Sequence, residues 1–125
     1  MITGTVNANR EAILRLTVLD ANGHEHERET VVDTGFDGWL SLPPNFIMAL
    51  GLQRQHSGRA VLADGSETLF GVYEATVLWD GQPRLISIYE MDAEPLVGMS
   101  LMYGYELVLP VLDGAAFTLR FIATP

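Results

Sequence analysis

The 125-residue sequence predicts an all-β domain with one or two short helices, and three observations carry that expectation. Four hairpin-type dipeptides, Asn22-Gly23, Asp64-Gly65, Asp80-Gly81 and Asp113-Gly114, punctuate the chain, each flanked by apolar or alternating residues. Before the first of them Leu14, Leu16 and Val18 alternate with Ile13, Arg15 and Thr17, a period of two that puts the first set on one face of a strand. A hydrophobic fraction of 48% with 18% charged residues belongs to a chain that folds around a core.

In chain order, the strand ending near Val18 turns at Asn22-Gly23 and returns as His24 to Val32, polar beside the turn and apolar as it nears Asp33. Pro43-Pro44 opens a short helix through Phe46, Ile47, Ala49 and Leu50, because proline suits a first helical turn, and Gly51 caps it. Gly58 to Ala63 and Thr68 to Trp79 flank Asp64-Gly65 as a long hairpin with a polar tip, and Arg84 to Tyr89 follows Asp80-Gly81. A second helix is expected after Gly98, from about Met99 to Tyr103, then strands over Tyr105 to Leu109 and Ala115 to Ile122. No repeat, low-complexity tract or linker interrupts the run, so residues 1–125 read as one domain.

Composition narrows the function. With no cysteine there is no disulfide, thiolate zinc site, CxxC couple or cysteine nucleophile. Seven Lys and Arg against 16 Asp and Glu give a net charge of −9, which repels phosphate backbones and anionic lipid, so neither nucleic acid nor membrane is an expected partner. The apolar stretch Leu107 to Leu112, with Pro110 inside it, falls far short of the roughly 20 residues of a membrane span. The first residues lack a basic segment followed by an apolar core, so a cytoplasmic location is expected. His24-Glu25-His26-Glu27-Arg28-Glu29 puts two histidines on one strand face but reads as a solvated hairpin arm, and no metal or cofactor is expected. His56 reads as a surface loop residue, Trp39 as a core or interface anchor and Trp79 as a packing residue. Neither a Gly-x-Ser-x-Gly elbow nor a phosphate-loop spacing occurs.

The most informative segment is Val31-Val32-Asp33-Thr34-Gly35-Phe36-Asp37-Gly38, where two β-branched residues deliver an acid into a Thr-Gly turn. Alone, the triplet reads first as an Asx turn ending a strand. A second element, Pro95-Leu96-Val97-Gly98-Met99-Ser100, sets two apolar residues before a glycine and a short helical pattern, and the hairpin bearing Ala63-Asp64-Gly65-Ser66 lies between the two. Together with Leu40-Ser41-Leu42-Pro43 and Leu50-Gly51-Leu52, these elements resemble the retropepsin-like aspartic proteases, above all the small single-domain bacterial and archaeal type. The resemblance runs from about Thr3 to Ile122.

It implies a closed retropepsin-like barrel with a flap hairpin, and an aspartic endopeptidase active as a homodimer with a peptide or protein substrate and no cofactor. One Asp-Thr-Gly per chain fits that assembly, since metal-free peptide hydrolysis needs one carboxyl to take a proton from water and another to donate to the carbonyl. By resemblance, Asp33 is catalytic, Thr34 bonds across the dimer axis and Gly35 keeps the loop open. Phe36 and Asp37 bind substrate, Ala63, Asp64, Gly65 and Ser66 form the flap tip, and Leu96, Val97 and Gly98 pack behind the loop. The chain termini pair across the axis, with Ile2 to Val6 and Phe117 to Ile122 apolar enough to serve. Two departures stand out: Met99 and Ser100 occupy the place where retroviral members carry arginine, and the flap tip is acidic. They motivate an alternative, a dimeric peptide-binding or regulatory module on the same fold with little or no turnover.

Overall fold

A computed structural model describes residues 1–123. Its strands are β1 (Ile2–Val6), β2 (Ala12–Leu19), β3 (Glu25–Val32), β4 (Leu40–Leu42), β5 (Arg54–Val61), β6 (Glu67–Trp79), β7 (Gln82–Glu90), β8 (Leu96–Val97), β9 (Tyr105–Val108) and β10 (Ala116–Phe121). Two short helices, α1 (Pro44–Leu50) and α2 (Met99–Met102), complete the elements among the described residues. Among the described residues no helix is long and apolar enough to cross a membrane.

Each Asn-Gly or Asp-Gly pair sits in the connection expected of it. Asp80 and Gly81 both take positive φ, 52° and 80°, between the partners Trp79 and Gln82, which is a two-residue type I′ turn. Gly23, Gly65 and Gly114 also adopt the left-handed conformation. Helix α1 starts at Pro44 and ends on Gly51 at φ 69°, as its flanking residues dictate.

The sheet runs β5-β6-β7-β4-β8-β3-β2-β1-β10-β9, and a further β2–β6 pairing at Thr17↔Leu78 and Val18↔Val77 joins two of its inner strands. That link closes β2, β3, β8, β4, β7 and β6 into a ring, leaving β5 outside at one end and β1, β10 and β9 at the other. Val18, Leu40, Val77, Ile88, Val97 and Leu101 are fully buried within it. Each such side chain stabilises the fold by roughly 1.5–3 kcal/mol relative to exposure. Among the described residues, buried Thr30 Oγ1 donates to Leu14 O and buried Ser41 Oγ accepts from Leu96 N–H, while the Trp79 indole Nε1 is buried without a partner.

Three expectations need correction. β4 and β8 are strands that sequence periodicity did not reveal, because two or three residues show no period. β5 begins at Arg54, so His56 lies on an exposed strand rather than in a loop, and Ala63 belongs to the turn after β5. β1 and β10 are not left open at the termini. They pair with each other in the same chain from Ile2↔Leu119 to Thr5↔Ala116, and β9 takes the other side of β10.

Candidate active site

The catalytic-loop candidate begins where β3 leaves the barrel. Asp33 N–H donates to Val97 O at 2.9 Å, which ties the residue to β8, and Gly35 N–H donates to Asp33 Oδ1 at 2.8 Å. The carboxylate is therefore fixed by backbone on one oxygen, while Thr34 and Gly35 are exposed at the loop's apex. Behind the loop the chain crosses itself. Gly98 N–H donates to Trp39 O, Met99 N–H to Phe36 O and Ser100 N–H to Gly38 O, all within 2.8–3.1 Å. Ser100 Oγ adds a bond to Asp37 O at 2.5 Å.

Space requires the glycine at 98, where the neighbour is backbone, and crowds the one at 38, where the neighbours are ring edges. A Cβ on Gly98 would lie 2.1 Å from Gly38 O and 2.7 Å from Phe36 Cδ2. One on Gly38 would meet Phe36 Cζ at 2.5 Å and Tyr89 Cε2 at 2.9 Å. Leu96 and Val97 form β8 just before Gly98, pairing with β3 on one side and β4 on the other, as a packing role requires.

A cleft of about 560 Å³ opens between this loop and the hairpin of β5 and β6. Phe36 and Asp37 line it together with Leu62, Phe70 and Tyr89, and the Tyr89 ring packs on both Phe36 and Phe70 at centroid distances of 5.7 and 4.9 Å. Arg59 also borders the cleft, facing Glu67 at 3.6 Å, and Glu90 lines it too. Asp37 has no ion-pair partner among the described residues, and Ser100, near the position of the absent arginine, meets its main chain instead of its carboxylate.

The β5–β6 hairpin tip, the expected flap tip, stands apart from the cleft walls. Ala63, Asp64, Gly65 and Ser66 are exposed, and none of them lines the cleft. Asp64 Oδ1 accepts from Ser66 Oγ at 2.6 Å and from Ser66 N–H at 2.9 Å, and these bonds hold its carboxyl below the ordinary carboxylate range. The structure thus joins Phe36 and Asp37 to the arms of the hairpin, while Asp33, Thr34 and Gly35 lie outside the cleft's lining. Sequence reasoning missed Phe70, Tyr89, Glu90 and Ser100. Tyr89 and Glu90 end β7, which lies beside the loop only through the short strand β4. No group of three or more His, Asp or Glu that could hold a metal occurs among the described residues.

No family model matches the sequence, and no curated protein sequence does. Solved structures do. A retropepsin-like aspartic protease from Rickettsia conorii matches with a TM-score of 0.61 at 18% identity, over 98% of this chain and 91% of that one. The EIAV protease complexed with the inhibitor HBY-793 matches with a TM-score of 0.58 at 17% identity, over 82% of this chain and 97% of that one. At such identities the likeness is one of fold: the chain has the retropepsin-like fold that the sequence resemblance implies.

Proposed function

We propose that the chain is an aspartic endopeptidase that works as a homodimer, each copy contributing one Asp33. The observation that carries this reading is the placement of a single Asp-Thr-Gly loop: its acid is oriented by backbone at the crossing of β3 and β8, and its apex is exposed. With two copies facing each other, the paired carboxyls cannot comfortably carry two negative charges, so they hold one proton between them, as aspartic-protease dyads do in general. The ionised member takes a proton from water, and the resulting hydroxide attacks the scissile carbonyl carbon. The protonated member donates to the carbonyl oxygen, and the tetrahedral intermediate collapses as the amine nitrogen leaves protonated. Thr34 supports the dyad across the axis, Gly35 leaves room for the substrate, and Phe36 and Asp37 bind the peptide in the cleft. The hairpin around residues 63–66 is the flap, which closes over bound peptide and excludes water.

The test is cleavage of a mixed peptide library from about pH 3 to 8 by the parent and by Asp33→Asn. Cleavage by the parent that disappears in a folded variant is expected. Equal cleavage by both proteins overturns the assignment, and peptide binding with no cleavage at any pH points to the binding module.

A further inference from the structure

Outside the cleft the molecule holds a second cavity of about 530 Å³, a size usual for small-molecule pockets. It lies behind the loop crossing. Trp39 and Ser100 line it, and their backbone groups are the ones that bond Gly98 and Gly38 where the chain crosses itself. Much of the remaining wall is aromatic. Tyr105 meets Trp79 on one side and Phe121 on the other, edge to face at centroid distances of 5.8 and 5.5 Å, and Tyr103, 67% exposed, adds a further ring.

The polar groups of this wall divide by what they can still bond. Asp80 is the one acid lining the cavity among the described residues, and both of its oxygens are engaged. Oδ2 accepts from the Tyr105 hydroxyl at 3.0 Å and Oδ1 from the Met1 amine at 2.9 Å. The Ser100 hydroxyl is spent on Asp37 O. Two donors are left. Arg84 stacks its guanidinium on the Trp39 ring at 4.9 Å and reaches Leu101 O at 3.5 Å, but no carboxylate pairs with it among the described residues. Trp79 is 4% exposed and its indole Nε1–H has no acceptor, the Tyr105 hydroxyl being near enough to feel it without taking the bond.

Ring faces beside an unpaired cation and an orphan N–H recognise a flat apolar body that brings its own acceptor. A guanidinium already stacked on an indole is held in position for a carboxylate, whereas an ammonium meets it as a like charge. We propose that this cavity binds a small aromatic carboxylate, its ring among the aromatic side chains and its carboxylate on Arg84. An occupant there touches Trp39 and Ser100, and so the back of the segment that supports Asp33.

The chain has two tryptophans and both line the cavity, so their indole N–H signals in a nitrogen-edited proton NMR spectrum report on it directly. Phenylpropionate is titrated against three analogues: phenylpropionamide, which loses the charge, phenylpropylamine, which reverses it, and hexanoate, which loses the ring. The aromatic acid should shift both signals with a Kd of about 1 mM or tighter, and each analogue should bind at least roughly tenfold more weakly. Arg84→Gln should bring the acid and its amide to equal affinity. Circular dichroism checks that the variant is folded, and Arg84→Met, which keeps an apolar stem against Trp39, replaces it if it is not. An analogue that binds as tightly as the acid, an acid preference that survives the loss of Arg84, or signals that no probe moves overturn the inference. In the last case, signals that move on dilution identify a second copy of the chain as the occupant. Peptide cleavage is read nowhere in this experiment, so its result stands apart from the peptidase reading.

Discussion

The two walls of the cleft are held by different kinds of hydrogen bond. On the loop side, the bonds join residues far apart in sequence: Asp33 to Val97, Phe36 to Met99, Gly38 to Ser100, Trp39 to Gly98 and Ser41 to Leu96. On the flap side they are local. Leu62 N–H reaches Ser66 O, Gly65 N–H reaches Leu62 O, and Asp64 receives Ser66, while β5 bonds β6 from Arg54↔Tyr73 to Val61↔Glu67 and β6 is tied to β7 only from Val72 onward. A network that spans the barrel opens only when the barrel opens, whereas the outer part of the hairpin, which pairs only with itself before Val72, can move at smaller cost. Under the proposed function, the acid that must be placed accurately sits on the first wall and the surface that must admit a substrate on the second.

Glycine substitutions should break or sharpen this contrast most strongly. Gly98→Ala forces a methyl to within 2.1 Å of Gly38 O, and since that atom belongs to the backbone, the crossing itself must shift. The expected loss is about 3–5 kcal/mol, the range of severe single substitutions. Gly65→Ala meets nothing within 4 Å, and its cost is the strain of a non-glycine residue at φ 85°, about 1 kcal/mol. Urea unfolding of both variants measures the difference. Losses equal to within about 0.5 kcal/mol would show that the two walls are equally rigid and the contrast wrong.

A smaller effect is expected where the walls meet the peptide. Asp37 lines the cleft with its carboxylate unpaired among the described residues, free to receive a main-chain amide. Asp37→Ala should therefore raise KM by roughly tenfold, about 1.4 kcal/mol, and do so equally for peptides with basic and with neutral side chains, because the amide is common to both. Loss confined to Lys- and Arg-containing peptides would show that Asp37 reads a basic side chain instead. In that case Glu90, in the same cleft, becomes the next residue to replace.

Much of the flap wall was legible in the sequence and little of the loop wall's support was, for the same physical reason. Turn chemistry is local, so Asp64-Gly65 and Asp80-Gly81 disclose their hairpins, and Pro43-Pro44 with Gly51 brackets α1. The loop's supports are pairings between segments more than fifty residues apart. Ser41 is an ordinary serine until Leu96 N–H is brought to its Oγ at 3.0 Å, and Ser100 until its Oγ reaches Asp37 O. β4 is buried along its whole length, so no exposed residue alternates with the apolar ones to disclose its period. The motif around Asp33 could be read because its residue types are restricted by chemistry. The open edge could not: Phe117 and Leu119 mark β10 as apolar, but only the register with Gly4 and Ile2 shows that the strand is already paired.

The smallest effect concerns the flap tip in acid. The Ser66 hydroxyl and amide lower the pKa of Asp64, so the ionised carboxylate is favoured in the folded turn. A carboxyl depressed in the folded state contributes its stability above the unfolded value and loses it as pH falls through the folded one. The Ser66 amide, which donates to that carboxylate, should accordingly keep a constant exchange protection factor from about pH 7 to 5 and lose it progressively below about pH 4. In Asp64→Ala the protection should be low throughout. The Gly98 amide, bonded to the carbonyl of Trp39, has no carboxylate to lose and should stay level over the same range. Ser66 protection that is unchanged at low pH would mean that the tip is held by its backbone bonds alone, from Leu62 N–H to Ser66 O and from Gly65 N–H to Leu62 O. If it does fall, then under the proposed function acid that protonates a dyad would also loosen the hairpin tip, so that substrate entry and catalysis would be favoured by the same change in pH.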